Sequence, residues 1–364
     1  LHSFPTRRSS DLIYLLRDNT DASRFTVENG INVTLNTGDK TLTKITNGIV
    51  VNEGGTLNIS GDGEVRTEEG NYNLLSKLIT VNGTLNVSDS TINNRGNVSV
   101  DWYAIYRTSG EVNIYSGIVK ATSSSGANRN MSGIAIGVKG GSEFNIYGGL
   151  IYSETTNSVA INAVSDSSGV ATGEINIYGG DISAKGDSAK AAIDIRREGS
   201  YDNNVELNII DGYITSENSD GIYIGEGTTA VLTLGIKGDG EPSKDMPQIK
   251  GEGYAVNSAN GFNFYDGLLI GAIEGHSGDG AQIIDCEDGY WVIATRGDNY
   301  EYERLEDAAS YKVIHRFHET SDIYSPVEFT ETKQFAAIVG EFVTPEAKNY
   351  TGYAPAETYT QEIT

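Results

Sequence analysis

The chain has 364 residues, with 44 Gly, 6 Pro and 21 Tyr against 9 Phe, a composition that favours many short strands joined by tight turns. Its formal charge is −24, from 50 acidic and 26 basic residues, which argues against a nucleic-acid partner because phosphate recognition needs clustered Lys and Arg. The single cysteine, Cys286, excludes an intramolecular disulfide framework, and no apolar run approaches the ~18 residues of a membrane span.

The first segment of the chain is not expected to belong to the fold. Residues 3–12, SFPTRRSSDL, resemble the in-frame translation of a sequencing-adapter oligonucleotide, so residues 1–12 are interpreted as an artefact. On this interpretation the natural start and any export signal are missing from the sequence, and we expect the C-terminal end to be truncated as well.

A repeated motif organises residues 13–275. Its copies are GTLNIS, GTLNVS, GEVNIY, SEFNIY, GEINIY, VELNII, AVLTLG and GFNFYD, centred on Asn58, Asn86, Asn113, Asn145, Asn176, Asn208, Thr233 and Asn263. The centres are 28, 27, 32, 31, 32, 25 and 30 residues apart, which gives a period of about 29. A second short alternating stretch follows each motif and a third precedes it. The sequence therefore predicts three strands per coil and at least eight coils.

Within each motif, residues alternate between the two faces of a strand. Ile175 and Ile177 share one face, while Asn176 and Tyr178 share the other. If the apolar pair points inward, each inward residue meets a similar residue in the next coil at ~4.8 Å, and neighbouring coils satisfy each other's backbone hydrogen bonds. We therefore predict an all-β fold, a parallel β-helix, over residues 13–275.

The repeats also resemble a known architecture. Residues 13–43, IYLLRDNT…FTVENGINVTLNTGDKTLT, with the GEVNIYSG and GEINIYGG copies, resemble the pectate-lyase-like β-helix regions of large surface proteins of Gram-positive and gut bacteria. The resemblance covers residues 13–275 and implies a right-handed β-helix. It does not specify chemistry, because this architecture carries lyases, hydrolases, adhesins and inert stalks alike.

The C-terminal quarter lacks the repeat. Residues 276–310 are richer in charge and aromatics and are predicted to form a cap or linker, since an uncovered last coil would expose strand edges. Residues 311–364 resemble the mucin-binding-protein-like and internalin-type repeat modules of wall-anchored proteins, most clearly in VTPEAKNYTGY at residues 343–353. That resemblance implies a truncated β-grasp-like module.

Candidate catalytic residues are few. Polysaccharide cleavage needs paired carboxylates, or calcium with a base, and the chain has no Asp-Asp pair. Asp194 and Arg196 share the outward face of one strand, and a solvated surface ion pair is preferred to a lyase base beside a calcium ligand. His315 and His318 point to opposite faces of a predicted strand, and no positioned base accompanies Cys286. No catalytic residue, metal site or cofactor is predicted.

Two features are candidates for recognition. Tyr115, Tyr147, Tyr178 and Tyr265 occupy one motif position, and the first three should stack outward on consecutive coils, where they would pack against sugar rings or mainly against one another. Two connections are also long, so residues 165–173 and 196–204 should protrude side by side and wall a shallow groove, unless they are simple insertions.

These patterns predict a non-enzymatic, extracellular stalk or adhesin segment, attached to a cell wall through a missing C-terminal region. The candidate ligand-binding residues are the four tyrosines with Asp194 and Arg196, and the expected partners are polysaccharide, mucin or a host surface glycoprotein. The alternatives are a carbohydrate-active enzyme, either a polysaccharide lyase or a hydrolase, and an inert structural spacer.

Overall fold

The computed structural model describes residues 10–68, 76–95, 102–122, 133–154, 158–165, 170–185, 191–236, 246–274, 282–286, 290–294, 299–301, 308–318, 327–338, 342–344 and 360–362. All regular structure within these stretches is β-strand. The same stretches contain no helix that is long and apolar enough to cross a membrane.

Ten strands form a first parallel sheet, called here the first face. They are β1 (Asp11–Tyr14), β4 (Asn32–Asn36), β7 (Thr56–Ser60), β10 (Thr84–Val87), β13 (Glu111–Ile114), β16 (Glu143–Ile146), β19 (Ala171–Ile177), β22 (Asn203–Ile209), β25 (Val231–Leu234) and β27 (Asn263–Phe264). The motif centres from Asn58 to Asn263 are register partners of one another from coil to coil. The predicted repeat register is therefore confirmed.

The other strands of each coil build a second and a third face. The second face contains β2 (Asn19–Asp21), β5 (Thr41–Lys44), β8 (Glu64–Thr67), β11 (Thr91–Asn94), β14 (Ile118–Ala121), β17 (Leu150–Ser153), β20 (Asp181–Ala184) and β23 (Tyr213–Ser216). The third face contains β3 (Phe25–Val27), β6 (Ile49–Val51), β9 (Lys77–Val81), β12 (Trp102–Arg107), β15 (Gly133–Val138), β18 (Val159–Ser165), β21 (Ala191–Arg197) and β24 (Asp220–Ile224).

Two long strands bend across the corner between the second and third faces. In β26 (Gln248–Ser258), Ile249 pairs with Ile214 of the second face and Val256 pairs with Ile222 of the third. The next strand, β28 (Leu268–Glu274), pairs along both halves of β26. Since every pairing between successive coils is parallel, the architecture is a parallel β-helix with three strands per coil, as predicted.

The interior of the β-helix is packed with aliphatic residues that repeat from coil to coil. One inward column of the third face consists of Ile79, Ile105, Ile136, Ile161, Ile193, Ile222 and Val256, all 0% exposed. Each rung has partners one coil above and one coil below, so the buried apolar area that stabilises the fold exists only in the stack.

One interior rung is an arginine. Arg107 lies in register between Val81 and Val138 and is 0% exposed. Its guanidinium donates to the backbone carbonyl oxygens of Gly140 and Thr172, both at 2.8 Å, and of Ser142. Burial lowers the pKa of Arg107 to about 10. The side chain thus satisfies carbonyl groups in the turn between β15 and β16, one coil further on, and in β19, two coils further on.

The corner that leads into the first face leaves no room for a side chain at Gly110. A β-carbon on Gly110 would lie 1.8 Å from the carbonyl oxygen of Gly83 in the preceding coil. Glycine is required at this position because the backbones of the two coils approach each other closely there.

The N-terminal coils depart from the sequence motif. Thr34 is the register partner of Asn58, and Leu12 is the partner of Thr34, so β1 and β4 add two rungs that the motif did not identify. The strand β1 begins at Asp11, inside the segment interpreted as an artefact. Within these coils Lys44 is fully buried and forms an ion pair with Asp21 at 2.7 Å. This is a charged pair in a position where later coils have small or polar residues.

Beyond residue 274 the pairing becomes antiparallel. The strand β31 (Asn299–Glu301) pairs with β28, β29 (Gln282–Cys286) pairs with β30 (Tyr290–Ala294), β32 (Ala308–His318) pairs with β33 (Val327–Ile338), and β34 (Phe342–Val343) pairs with β35 (Gln361–Glu362). Most of the VTPEAKNYTGY stretch lies outside the described residues, so the β-grasp-like module stays a prediction.

Candidate functional site

The outer side of the first face carries three parallel columns of side chains. They arise because the motif E-x-N-x-Y recurs in register and alternate residues of a strand point the same way. The Glu column is Glu111, Glu143, Glu174 and Glu206, and the Tyr stack is Tyr115, Tyr147 and Tyr178. Between them lies the Asn ladder, which comprises Asn58, Asn86, Asn113, Asn145, Asn176 and Asn208.

The Asn ladder is joined by side-chain hydrogen bonds from coil to coil. The Nδ2 of Asn145 donates to the Oδ1 of Asn113 at 3.0 Å, and the Nδ2 of Asn176 donates to the Oδ1 of Asn145 at 3.1 Å. The same bond links every neighbouring pair from Asn58 to Asn208. Although they project outward, Asn113, Asn145 and Asn176 are only 5%, 4% and 7% exposed. The columns on either side cover them.

The second amide proton of the central asparagines is used within the strand. Asn113 donates to Oε1 of Glu111 at 2.7 Å, and Asn145 donates to Oε2 of Glu143 at 3.3 Å. Asn176 donates to Oε2 of Glu174 over a longer distance of 3.5 Å. These three asparagines are therefore saturated by their own neighbours, and they orient the carboxylates of Glu111, Glu143 and Glu174 along the edge of the face. No ion pair joins a Lys or Arg to the Glu column within the described part of the chain.

The predicted stacking of Tyr115, Tyr147 and Tyr178 is present. The ring centroids of Tyr115 and Tyr147 are 5.1 Å apart at 8°, and those of Tyr147 and Tyr178 are 5.0 Å apart at 7°. Each tyrosine is 42% to 49% exposed. Partial burial, followed by the neighbouring Tyr178 and Tyr115, raises the pKa of Tyr147. Because both faces of the Tyr147 ring are occupied, the ring offers a partner its edge and hydroxyl group.

The fourth tyrosine is separate from this stack. Tyr265 is aligned with Gly235, and the positions between it and Tyr178 are occupied by Ile210 and Gly235. Its ring is partly buried and packs against the hydrophobic core. Of the four tyrosines, only the first three form one continuous surface.

Asp194 and Arg196 form the predicted ion pair, with Nη2 of Arg196 at 3.3 Å from Oδ2 of Asp194. The expectation that the pair is solvated was wrong for the carboxylate, because Asp194 is 1% exposed. Arg196 also contacts Glu198 at 3.1 Å. In its outward column Asp194 lies between Asn162 and Tyr223, neither of which is acidic.

The two predicted long connections begin and end in strand. β18 and β21 stay paired as far as Ser165 with Arg197, and β19 and β22 are paired from Ala171 with Asn203 onward. Four residues of each connection therefore extend the strands at one corner of two adjacent coils, and residues 198–202 of the second connection form no strand. Residues 166–169 lie outside the described part of the chain, so the groove stays a prediction.

The remaining candidates for chemistry are Cys286, His315 and His318, together with any cluster of metal-ligating side chains. The described residues contain no group of three or more His, Cys, Asp or Glu side chains placed to hold a metal ion. Cys286 ends β29, and His315 and His318 lie on β32, whose side-chain surroundings fall outside the described part of the chain.

Sequence reasoning overlooked the Glu column and the hydrogen-bonded Asn ladder, and it did not recognise Arg107 as an interior rung. The signal for the first two was present, since glutamate stands two residues before the asparagine in GEVNIY, SEFNIY, GEINIY and VELNII. Register alignment of WYAIYR with LITV would also have placed Arg107 opposite Val81.

Comparison with known proteins yielded no assignment: no protein-family model, no curated protein and no solved structure matches this chain.

Proposed function

We propose that this chain is a non-enzymatic stalk or adhesin segment of an extracellular, wall-attached protein, and that it contacts a polysaccharide, mucin or host surface glycoprotein through its first face. The observation that supports the proposal is the outer side of that face, where carboxylates and tyrosines flank the Asn ladder over consecutive coils. Hydroxyl, carboxylate and aromatic groups are the side-chain types that hydrogen-bond and pack against sugars.

A structural argument favours the non-enzymatic class over the carbohydrate-active enzyme. Hydrolysis requires two carboxyl groups on opposite sides of the scissile bond, about 5 to 9.5 Å apart. The carboxylates of the first face instead form a single column along the axis, and Asp194 is buried beside Arg196. A glycan on the first face would therefore meet carboxylates on one side only.

The inert spacer is the second candidate, and the geometry of the Tyr stack supports it. The rings stack on one another, as expected if their main role is to stabilise the rod. On this reading the exposed ring edges have no ligand.

The test is a glycan and mucin array probed with the full chain and with a Tyr147→Ala/Tyr178→Ala variant. The matched control is Tyr201→Ala/Tyr213→Ala, because Tyr201 and Tyr213 are 44% and 43% exposed but lie off the stack. Binding that is lost in the first variant and kept in the control supports the adhesin. Absence of binding by the unmodified chain to every glycan and mucin supports the spacer.

A further inference from the structure

The Glu column holds like charges at the spacing of the coils. Glu111, Glu143, Glu174 and Glu206 occupy one register position on four successive strands, and successive strands are ~4.8 Å apart. Like charges directly opposite each other on a sheet are destabilising. The asparagine donors offset part of this cost for Glu111 and Glu143, yet no basic side chain among the described residues pairs with the column. A cationic partner would relieve the repulsion.

The Tyr stack runs parallel to the Glu column on the outer side of the first face. The two columns cover the Asn ladder between them, so the surface over the three coils of β13, β16 and β19 is an acidic stripe beside an aromatic one, called here the Glu–Tyr stripe. The ladder amides already use both protons on their neighbours, so selectivity for a bound chain would come from the carboxylates and the tyrosines.

We infer that the Glu–Tyr stripe binds a linear polysaccharide whose amino sugars carry free, protonated amines. This inference rests on the proposed function and specifies its ligand. An extended amino-sugar chain along the axis presents ammonium groups at intervals comparable to one or two coils, which suits the repeating carboxylates. The hydroxyl groups of the sugar chain can hydrogen-bond to the tyrosine hydroxyls, and its apolar C–H groups can pack against the ring edges of the Tyr stack.

Charge also determines which glycans should be rejected. A sialylated or uronic-acid polymer would place carboxylates against the Glu column, in a chain whose net charge is already −24. A neutral, N-acetylated polymer would leave the column without a counter-charge. The inferred order of affinity is therefore free-amine polymer first, neutral polymer second and acidic polymer last.

The experiment measures equilibrium binding of the full chain to three probes at pH 5.5: a glucosamine hexamer, an N-acetylglucosamine hexamer and a lysine hexamer. This pH lies above the usual glutamate pKa of about 4.3 and keeps the sugar amines protonated. The test variant is Glu143→Gln/Glu174→Gln, which retains an oxygen acceptor for the asparagine donors. The control is Glu154→Gln/Glu217→Gln, which removes equal charge from exposed sites off the face.

The expected result is binding of the glucosamine hexamer that falls about tenfold in the test variant, is unchanged in the control, and weakens with added salt. Equal affinity for the N-acetylated hexamer would overturn the inference but leave glycan binding intact. Equal, face-dependent affinity for the lysine hexamer would also overturn it, because charge alone would then suffice. Binding of neither sugar probe, together with an array on which nothing binds, would overturn both proposals.

Discussion

The Asn ladder makes a specific prediction about stability, in which a nearly isosteric change at its centre is costly. Asn145→Asp keeps the size of the side chain and an oxygen that accepts from Asn176 at 3.1 Å. It removes the amide that donates to Asn113 at 3.0 Å and to Glu143 at 3.3 Å. The introduced carboxylate instead faces the Oδ1 of Asn113 and the carboxylate of Glu143.

The size of the effect follows from these contacts. Each lost hydrogen bond contributes about 1 kcal/mol net, and repulsion from Glu143 near the surface adds about 1 kcal/mol. The free energy of unfolding should therefore fall by about 3 kcal/mol, which corresponds to a decrease in Tm of roughly 6–12 °C for a domain of this size. Because negative neighbours raise the pKa of the new carboxyl group, the deficit is full at pH 7 and shrinks as the pH falls towards 4.

The assay is thermal unfolding of the full chain followed by circular dichroism at pH 7 and pH 4, with hydrogen exchange of β13, β16 and β19. Asn263→Asp is the matched control, because Asn263 is exposed and has a single ladder bond, of 3.3 Å, to Thr233. Equal Tm values for Asn145→Asp and Asn263→Asp at pH 7 would contradict the prediction. A difference in Tm between Asn145→Asp and the unmodified chain that stays the same at pH 4 would also contradict it.

Three further predictions concern the interior and the corners. Arg107→Lys should lower the free energy of unfolding by about 2–4 kcal/mol, measured by denaturant unfolding, because the single nitrogen of lysine cannot occupy both positions from which Nη1 and Nη2 reach the three carbonyl oxygens. The pKa of Asp21 is lowered to about 2, with partial burial opposing the hydrogen bonds from Lys44 and Ser23, so its stabilisation is complete above pH 3.8 and is lost as the pH falls through 2. Thermal unfolding between pH 5 and pH 2 should accordingly show a smaller acid-induced loss for Asp21→Asn. Gly110→Ala should abolish folding of its coil, seen as lost hydrogen-exchange protection in β13, because its β-carbon would meet the carbonyl oxygen of Gly83.

Much of the fold follows from the sequence alone. The alternation around Asn113 and Asn145 identifies the inward and outward residues, because side chains on a strand have a period of two. The recurrence of that pattern then specifies which strands are neighbours, since burying the apolar face requires like rungs to stack. The pairing of all eight motif centres and the contact between Tyr147 and its neighbours agree with that reasoning.

Other properties were decided only by the tertiary structure. Asp194 points outward, as the alternation indicates, yet it is buried, because exposure depends on what packs over a residue and not on its strand position. The same holds for Asn145, which is covered by side chains of its own and adjacent coils. Arg107 appears polar in sequence but is an interior rung, because the next two coils supply carbonyl oxygens for its guanidinium. Periodicity determines direction and register, whereas burial and hydrogen bonding depend on contacts between coils that are distant in sequence.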